Sequence, residues 1–370
     1  MSRDKFDVAI IGSGIGGAFL AFLLGRAGLN VVVLERGLTI GNRGAEFLKF
    51  GGIRIFEHYG LLSSLLHRGA LKRKVIKYYH DGQLIDHFDF SKYGSDYIIA
   101  PYKEIVGTVT TACSNYPKVE YWFNSTVSYI ETESDIASRL YLQDGRIIKA
   151  DVFIGADGVQ SIVHPYMNAQ IETRQYNHSI YGGFMQAVPS VWEFNRLYFS
   201  SDGWFAYFYP LDKRITRIFI GIPSTIHLNN IIHPSKLINH LSTFVSESID
   251  VLTGLTSVRF HKIPVSSSLA SIYHHFNVIA LGNAAFSFHP MTGLGMSYTL
   301  EDAKILAEVI LDGFHDVQVL NQLLKSRYAP RRKVHEQILE YGDQLARTYS
   351  DVVKYKQIFQ PHLHIGQVST

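Results

Sequence analysis

The chain has 370 residues, 46% of them hydrophobic and 18% charged, with a formal net charge of +3. That length and apolar content suit two intimately packed domains and exclude a disordered chain. The dispersed charge leaves no basic tract for nucleic acid, no apolar run approaches the ~20 residues of a membrane-spanning helix, and a single cysteine, Cys113, excludes an internal disulfide.

Phe6–Ile11 is a short apolar run and predicts a buried parallel strand. The turn Gly12-Ser13-Gly14-Ile15-Gly16-Gly17 follows, then a helix to about Ala27 stopped by Gly28, then a strand over Val31–Leu34. This is a βαβ unit. Lys72–Phe90 predicts a hairpin turning at Asp81-Gly82, and Tyr102–Ser114 a helix with Cys113 as a structural thiol. Val119–Arg146 predicts strands with a turn at Asp144-Gly145, and Asp151–Ile154 a strand ending at Gly155-Ala156-Asp157-Gly158. Alternating Tyr, Phe and Ile from Gln170 to Pro223 predict an antiparallel sheet. Helices are expected over Leu237–Ile249, Met296–Asp312 and within Val317–Thr348, with a strand over Phe276–Leu281 and His274 and His275 in a solvent-facing loop.

The nucleotide-type elements interleave with the aromatic ones. The expected fold class is therefore α/β. A Rossmann-type domain is assembled from residues 1–70, 101–169 and 270–315, an antiparallel-sheet substrate domain from 71–100 and 170–269, and a helical segment from 316–370. The reduced thiol and the charged start running straight into a strand suggest a cytoplasmic protein without a leader.

Three motifs carry chemistry. In Gly12-x-Gly14-x-x-Gly17 the glycines allow a tight turn, close approach to a pyrophosphate and helix–strand packing. Glu35 ends the second strand, where a carboxylate accepts ribose hydroxyls and disfavours a 2′-phosphate. Gly155–Gly158 stands at the carboxyl edge of the sheet, where Asp157 reaches a ribose or ribityl hydroxyl or simply makes an Asp-Gly turn. Leu281–Ala303, LGNAAFSFHPMTGLGMSYTLEDA, has the punctuation of a segment that closes around a flavin. Asn283 offers a donor and an acceptor, Pro290 stiffens the loop, and the helix end near Gly295 favours negative charge on the flavin's N1–C2=O edge. Helix-capping glycines are the plainer account of the same loop. Neither HExxH nor paired CxxC is present, so no metal is expected.

GSGIGG with Glu35-Arg36, then GADG, then LGNAAFSFHPMTGLGM resemble the three flavin signatures of the group A, para-hydroxybenzoate hydroxylase-like FAD monooxygenases. The details at Asn283, His289-Pro290 and Gly293-x-Gly295 resemble the ubiquinone-biosynthesis hydroxylase and squalene-epoxidase-like branches. The resemblance implies that Gly12, Ser13, Gly14, Ile15, Gly16, Gly17, Glu35 and Arg36 hold the ADP half of FAD, with Val127 and Gly158 in the cofactor set. It places Asp157 in a motif associated with FAD and NAD(P)H, Asn283 on the ribityl chain, and Pro290, Gly293, Leu294, Gly295 and Met296 against the isoalloxazine. Arg43 would contact the cofactor and act in its reduction. His289-Pro290 is expected to face the reacting ring, with His289 either an acid or base there or a structural histidine. Tyr102 or Lys103 stands where the family commonly has Arg, His164 where GADGxxSxxR ends in Arg, and Leu294 and Ser297 replace a frequent Gln and Asn.

The implied reaction is reduction of FAD by NADPH or NADH, then transfer of oxygen from a C4a-hydroperoxyflavin formed with O2. It hydroxylates an aromatic substrate, or epoxidises a prenyl-like one, in secondary or quinone metabolism. Tyr181, Phe184, Trp204, Tyr207, Tyr209 and Phe219 are the expected substrate lining, with core packing the alternative for each. A reductase or dehydrogenase on the same fold is the rival activity. A halogenase, partly suggested by Trp204–Pro210, and a binding protein with a dead site are further ones. The sequence does not speak to oligomeric state.

Overall fold

The computed structural model describes residues 5–41, 45–186, 194–211, 214–226, 234–263, 265–348 and 351–358. Arg43 lies outside the described residues.

Strand β1 (Phe6–Ile11) is apolar on both faces, as a strand covered by helices must be. The glycine turn leads into α1 (Ile15–Arg26), the chain reverses at Gly28, and β2 (Val31–Leu34) returns parallel to β1 with Val31 opposite Val8. Next come β3 (Ala45–Leu48), α2 (Phe50–His58) and α3 (Leu62–His67). These two helices were not expected, because the Gly51-Gly52 pair at the start of α2 reads as a turn. After β4 (Leu71–Arg73), β5 (Val75–His80) and β6 (Gln83–Asp89) form the expected hairpin. Asp81 and Gly82 both adopt positive φ, 44° and 79°, as its two-residue turn requires.

From β7 (Tyr97–Pro101) the chain enters α4 (Tyr102–Cys113), whose Cys113 is buried with its thiol pushed up to about 11 by desolvation. β8 (Val119–Trp122) lies parallel to β2. β9 (Val127–Glu133) and β10 (Ile136–Leu142) form an antiparallel flap that runs into β11 (Ile147–Gly155), parallel to β1.

The aromatic stretch gives β12 (Ile171–Gln175), β13 (His178–Gln186), β14 (Asn195–Phe199), β15 (Phe205–Pro210) and β16 (Ile215–Pro223). Two short helices, Pro234–Leu241 and Ile249–Gly254, replace the single one expected over Leu237–Ile249. Then follow β17 (His261–Ile263), β18 (Ser266–Ala270), β19 (His274–His275), β20 (Val278–Ala280) and β21 (Phe286–Ser287). His274 is buried on β19 rather than in a solvent-facing loop, and burial pushes its imidazole down to about 4. Helices Gly295–Gly313, Val317–Leu323, Arg331–Thr348 and Val352–Ile358 complete the described chain.

The nucleotide-type sheet runs β19-β20-β11-β1-β2-β8, so the first, GADG and Leu281 strands share one sheet. A second sheet runs β17-β13-β16-β15-β14-β5-β6. It is antiparallel apart from one pair, β14 with β5, which ties the early hairpin to the later aromatic strands. Two small sheets, β3-β7-β4 and β12-β18-β21, bridge the large ones. Alternation in the second sheet sorts its side chains. Trp204, Ala206, Phe208, Ile218 and Ile220 pack under helices Pro234–Leu241 and Ile249–Gly254, while Tyr207, Tyr209 and Phe219 face the other way.

The helix Gly295–Gly313 is bolted to Arg331–Thr348 through buried polar groups. Arg331 Nε donates to Asp302 at 2.6 Å and its Nη2 to Glu301 at 3.1 Å. His335 Nε2 sits 3.0 Å from Asp302, while its Nδ1 lies 2.7 Å from the Tyr273 hydroxyl.

Candidate functional site

The turn between β1 and α1 is shaped by what it has no room for. Gly12 has φ +105°, and a Cβ there would strike the Ala156 carbonyl; one at Gly17 would strike the Gly12 carbonyl. Gly16 faces Thr299 and Leu281, so its smallness serves the packing of α1 on helix Gly295–Gly313. Gly14 is open. Among the described residues only the Tyr102 hydroxyl approaches an added Cβ within 4 Å, at 3.2 Å. Backbone can therefore approach a pyrophosphate there, at the positive end of α1. Tyr102 Oη accepts the Ile15 N–H at 2.9 Å, so a neutral hydroxyl stands at this turn where the family commonly has an arginine.

Glu35 organises the adjacent loop. Its Oε2 accepts from Ser13 N–H at 3.1 Å and Ser13 Oγ at 2.6 Å, and its Oε1 from Gly37 N–H at 2.8 Å. A carboxylate has about four acceptor positions, so Oε1 retains capacity for a ribose hydroxyl. Arg36 is exposed beside it. The segment leading to Val127 closes on the same loop, with Ser125 N–H on the Glu35 carbonyl at 2.9 Å; Val127 itself is buried at the start of β9.

In the second motif, Asp157 accepts from the Ser161 hydroxyl and from Ile162 N–H at 2.9 Å, which makes its carboxylate a brace of its own loop. Desolvation raises its pKa despite these bonds. Gly158, with φ +102°, has open space where a side chain would stand. His164 reaches the Ala284 carbonyl at 2.7 Å and so ties this motif to the third.

In the third motif, Asn283 is exposed and makes no hydrogen bond with the described residues, which leaves its amide for a polyol. Pro290 is exposed, Gly293 and Met296 are half-buried, and a Cβ on Gly295 would meet nothing within 4 Å. Leu294 turns its side chain into the core, so only its backbone can line a flavin. The first turn of helix Gly295–Gly313 offers its N–H groups at this open end. An exposed amide, two open glycines and two helix N-termini along one sheet edge fit FAD.

His289 is 0% exposed. Its Nδ1 accepts from Met291 N–H at 3.2 Å, which places the proton on Nε2, 3.1 Å from His178 Nε2. Burial pushes His289 down to about 3 and His178 to about 4. A neutral imidazole with both nitrogens engaged braces the loop, which corrects the expectation that it faces the reacting ring.

An aromatic cluster lies on the face of the second sheet that carries Tyr207, Tyr209 and Phe219. Phe47 on β3 packs against Tyr97, Tyr207 and Tyr209, with ring centroids 5.5, 5.9 and 5.0 Å apart, and Tyr209 meets Phe219 at 5.6 Å. Three of the expected lining residues, Tyr207, Tyr209 and Phe219, therefore converge. Tyr181 and Trp204 pack into the opposite face and are removed from the lining. Phe184 is 45% exposed at the cluster's edge.

Sequence reasoning did not single out Arg217, which is 7% exposed. Its guanidinium lies 4.4 Å from the Phe184 ring and 4.6 Å from the Phe219 ring. It donates to the Gly183 carbonyl at 3.3 Å, its Nε has no hydrogen-bond acceptor, and no carboxylate pairs with it among the described residues. The signal was available: Arg217 stands opposite Tyr209 and in phase with Phe219. Asn195 adds an acceptor, its Oδ1 buried without a donor and its amide nitrogen 3.5 Å from the Tyr207 hydroxyl.

The model of the FAD binding domain family matches residues 5–341. PqsL of Pseudomonas aeruginosa, solved in complex with 2-aminobenzoylacetate, superposes with a TM-score of 0.88 at 33% identity, over 96% of this chain and 99% of that one. A probable NADH-specific resorcinol 4-hydroxylase of Rhodococcus jostii is 24% identical over 92% of this chain. Squalene epoxidase 3 of Arabidopsis thaliana is 25% identical over 90% of it. The chain spans 66% of the length of each of these two curated relatives. No described helix is long and apolar enough to cross a membrane, and no group of metal-ligating side chains occurs among the described residues. The chain belongs to the FAD-binding domain family and has the mixed α/β fold of its FAD-dependent monooxygenases.

Proposed function

We propose that this protein is an FAD-dependent monooxygenase. It uses a nicotinamide donor and O2 to hydroxylate a small aromatic compound that carries an anionic group. The observation that carries the substrate class is Arg217, a buried cation with an unsatisfied Nε beside the Phe47–Tyr207–Tyr209–Phe219 aromatic cluster, which we propose lines the substrate site. An isolated buried charge costs several kcal/mol unless a partner offsets it, and a substrate carboxylate between two aromatic rings is such a partner. The relative solved with 2-aminobenzoylacetate, an aromatic acid by its name, supports the same class.

Bound along the sheet edge, FAD would supply the chemistry that joins donor electrons to O2. The residues of this chain bind, orient and exclude. Gly14 and Tyr102 take the pyrophosphate, Glu35 the ribose, Asn283 the polyol, and the N–H groups at Gly295 the anionic ring edge. Arg217 fixes one end of the substrate and the aromatic walls keep water from the reacting carbon. Arg43 is proposed as the contact for cofactor reduction. The hydroxylase reading is placed ahead of the epoxidase one because a buried cation has no use for a purely hydrocarbon substrate. The aqueous interior is the proposed setting.

The test is stimulation of NADH or NADPH oxidation by a panel of aromatic acids and their neutral amides, with product analysed under 18O2. Acids should stimulate, the label should enter the product, and Arg217→Met should raise KM at least tenfold for acids while leaving amides unchanged. Oxygen incorporated from water, or protein that takes up no FAD, overturns the reading.

A further inference from the structure

Lys49 has no part in the function argued above, yet it is 6% exposed at the junction of the two halves of the site. It precedes α2 in extended backbone, φ −90° and ψ 177°, so it continues the alternation of β3 and shares a face with Phe47. Phe47 belongs to the aromatic cluster. The Lys49 ammonium donates to the Thr292 carbonyl at 2.6 Å and lies 3.1 Å from where a Cβ on Gly293 would stand. It is therefore wedged between the cluster and the 290–295 loop.

The backbone fixes that position. Ile53 N–H holds the Lys49 carbonyl at 2.9 Å. Gly51 and Gly52 let α2 close on Ser297 and Glu301, and Glu301 is itself engaged by Arg331 at 3.1 Å. A methionine would fill the same volume without the desolvation cost of an ammonium. Burial pushes the lysine down to about 7, so it is poised between neutral and charged near neutral pH, and a nearby negative charge would favour its protonated form. A buried cation is favoured beside a group that becomes negative, and the flavin ring becomes negative on reduction.

We propose that Lys49 is the electrostatic partner of the cofactor: its ammonium, held on the Thr292 carbonyl, favours the anionic reduced form of FAD and so raises its potential. The inference rests on the reading of loop 290–295 as the seat of the flavin. Lys49 acts on the ring through space and through this loop, as a positioning residue.

The test is the midpoint potential of bound FAD in the full chain, by dye-coupled reductive titration. It compares wild type with Lys49→Met, Lys49→Gln and Lys49→Arg. The neutral variants should lower the ratio of reduced to oxidised binding about tenfold, which is about 30 mV for a two-electron couple. Lys49→Arg should stay near wild type. If neither neutral variant loads FAD while Lys49→Arg does, the requirement for charge is supported as well. A neutral variant that loads FAD with an unchanged potential, or failure of all three to load, assigns Lys49 to loop architecture alone and overturns the proposal. Wild-type protein that binds no FAD is a distinct result, which removes the flavin seat itself.

Discussion

The His178–His289 pair makes the stability of this protein depend on acid in a calculable way. Both imidazoles are buried and sit at about 4 and about 3 in the folded state, against roughly 6.5 when unfolded. A base whose folded pKa is depressed binds fewer protons folded than unfolded. Its contribution is intact above pH ~6.5 and is lost as pH falls toward the folded value. At pH ~5 each histidine is almost fully charged in the unfolded chain and almost neutral in the folded one, which costs about 2 kcal/mol apiece. The pair should therefore remove about 4 kcal/mol between pH ~7.5 and ~5. His274, at about 4, adds its own loss and serves as an internal reference. Urea unfolding at both pH values should show wild type losing about 4 kcal/mol more than His178→Gln/His289→Gln, and about 2 kcal/mol more than either single variant. The comparison is of slopes with pH, so the lost His–His hydrogen bond, present at both pH values, cancels. Wild type and double variant weakening in parallel would refute the neutral, buried pair. So would a loss confined to alkaline pH.

Three further outcomes follow from the packing. Gly14→Ala should preserve the fold, because its Cβ meets only the Tyr102 hydroxyl among the described residues, and should weaken FAD binding about tenfold by holding the pyrophosphate off the backbone. Gly16→Ala, whose Cβ would lie 2.8 Å from Thr299 Cγ2, should instead cost ~1–3 kcal/mol of stability; flavin fluorescence quenching and urea unfolding separate the two. Arg331→Leu should cost ~3–5 kcal/mol in urea unfolding by leaving Asp302 buried without its guanidinium partner.

The parts of the site that were legible in the chain are those that work through backbone. Gly12 and Gly17 announce themselves because the tight turn brings backbone carbonyls where side chains would stand, and that exclusion is written in the sequence, while Gly14 leaves the open space proposed for the phosphate. In the third segment the same reason holds at Gly293, with φ +57° and the Lys49 side chain 3.1 Å from an added Cβ, whereas Gly295 leaves open space. Side-chain roles were harder. Tyr181 and Trp204 looked equal to Tyr207 until the pleat of the second sheet put them on opposite faces, and pleat phase across a bulged or interrupted stretch is a tertiary fact. His289 looked chemical because it precedes Pro290, but nothing local reveals that His178, on a distant strand, takes its other nitrogen. The β14–β5 pairing, which brings residues some 120 positions apart into one sheet, has no local signature either.

Lys49 and Arg217 share a pattern that local motifs do not capture. Each is a cation in an otherwise apolar alternation, FLKFGG and ITRIFIGI, at the phase of the pocket-facing neighbours Phe47 and Phe219. Solvent-facing cations fall on the other phase, so inward phase is itself a functional signal. In the proposed function the two charges divide the work. Arg217 stands at the pocket end of the chamber, clasped by Phe184 and Phe219, and Lys49 at the loop end, on the Thr292 carbonyl. A field positive at both ends would draw an aromatic acid inward and favour a reduced, anionic cofactor with the same sign of charge. The two effects are separable because the residues lie on different elements. Substituting Arg217 should change the apparent affinity for acids and leave the flavin potential alone, whereas substituting Lys49 should move the potential and leave the preference for acids over amides intact. If both substitutions moved both quantities equally, the chamber would act as one undivided potential, and assigning substrate to one cation and cofactor to the other would be wrong.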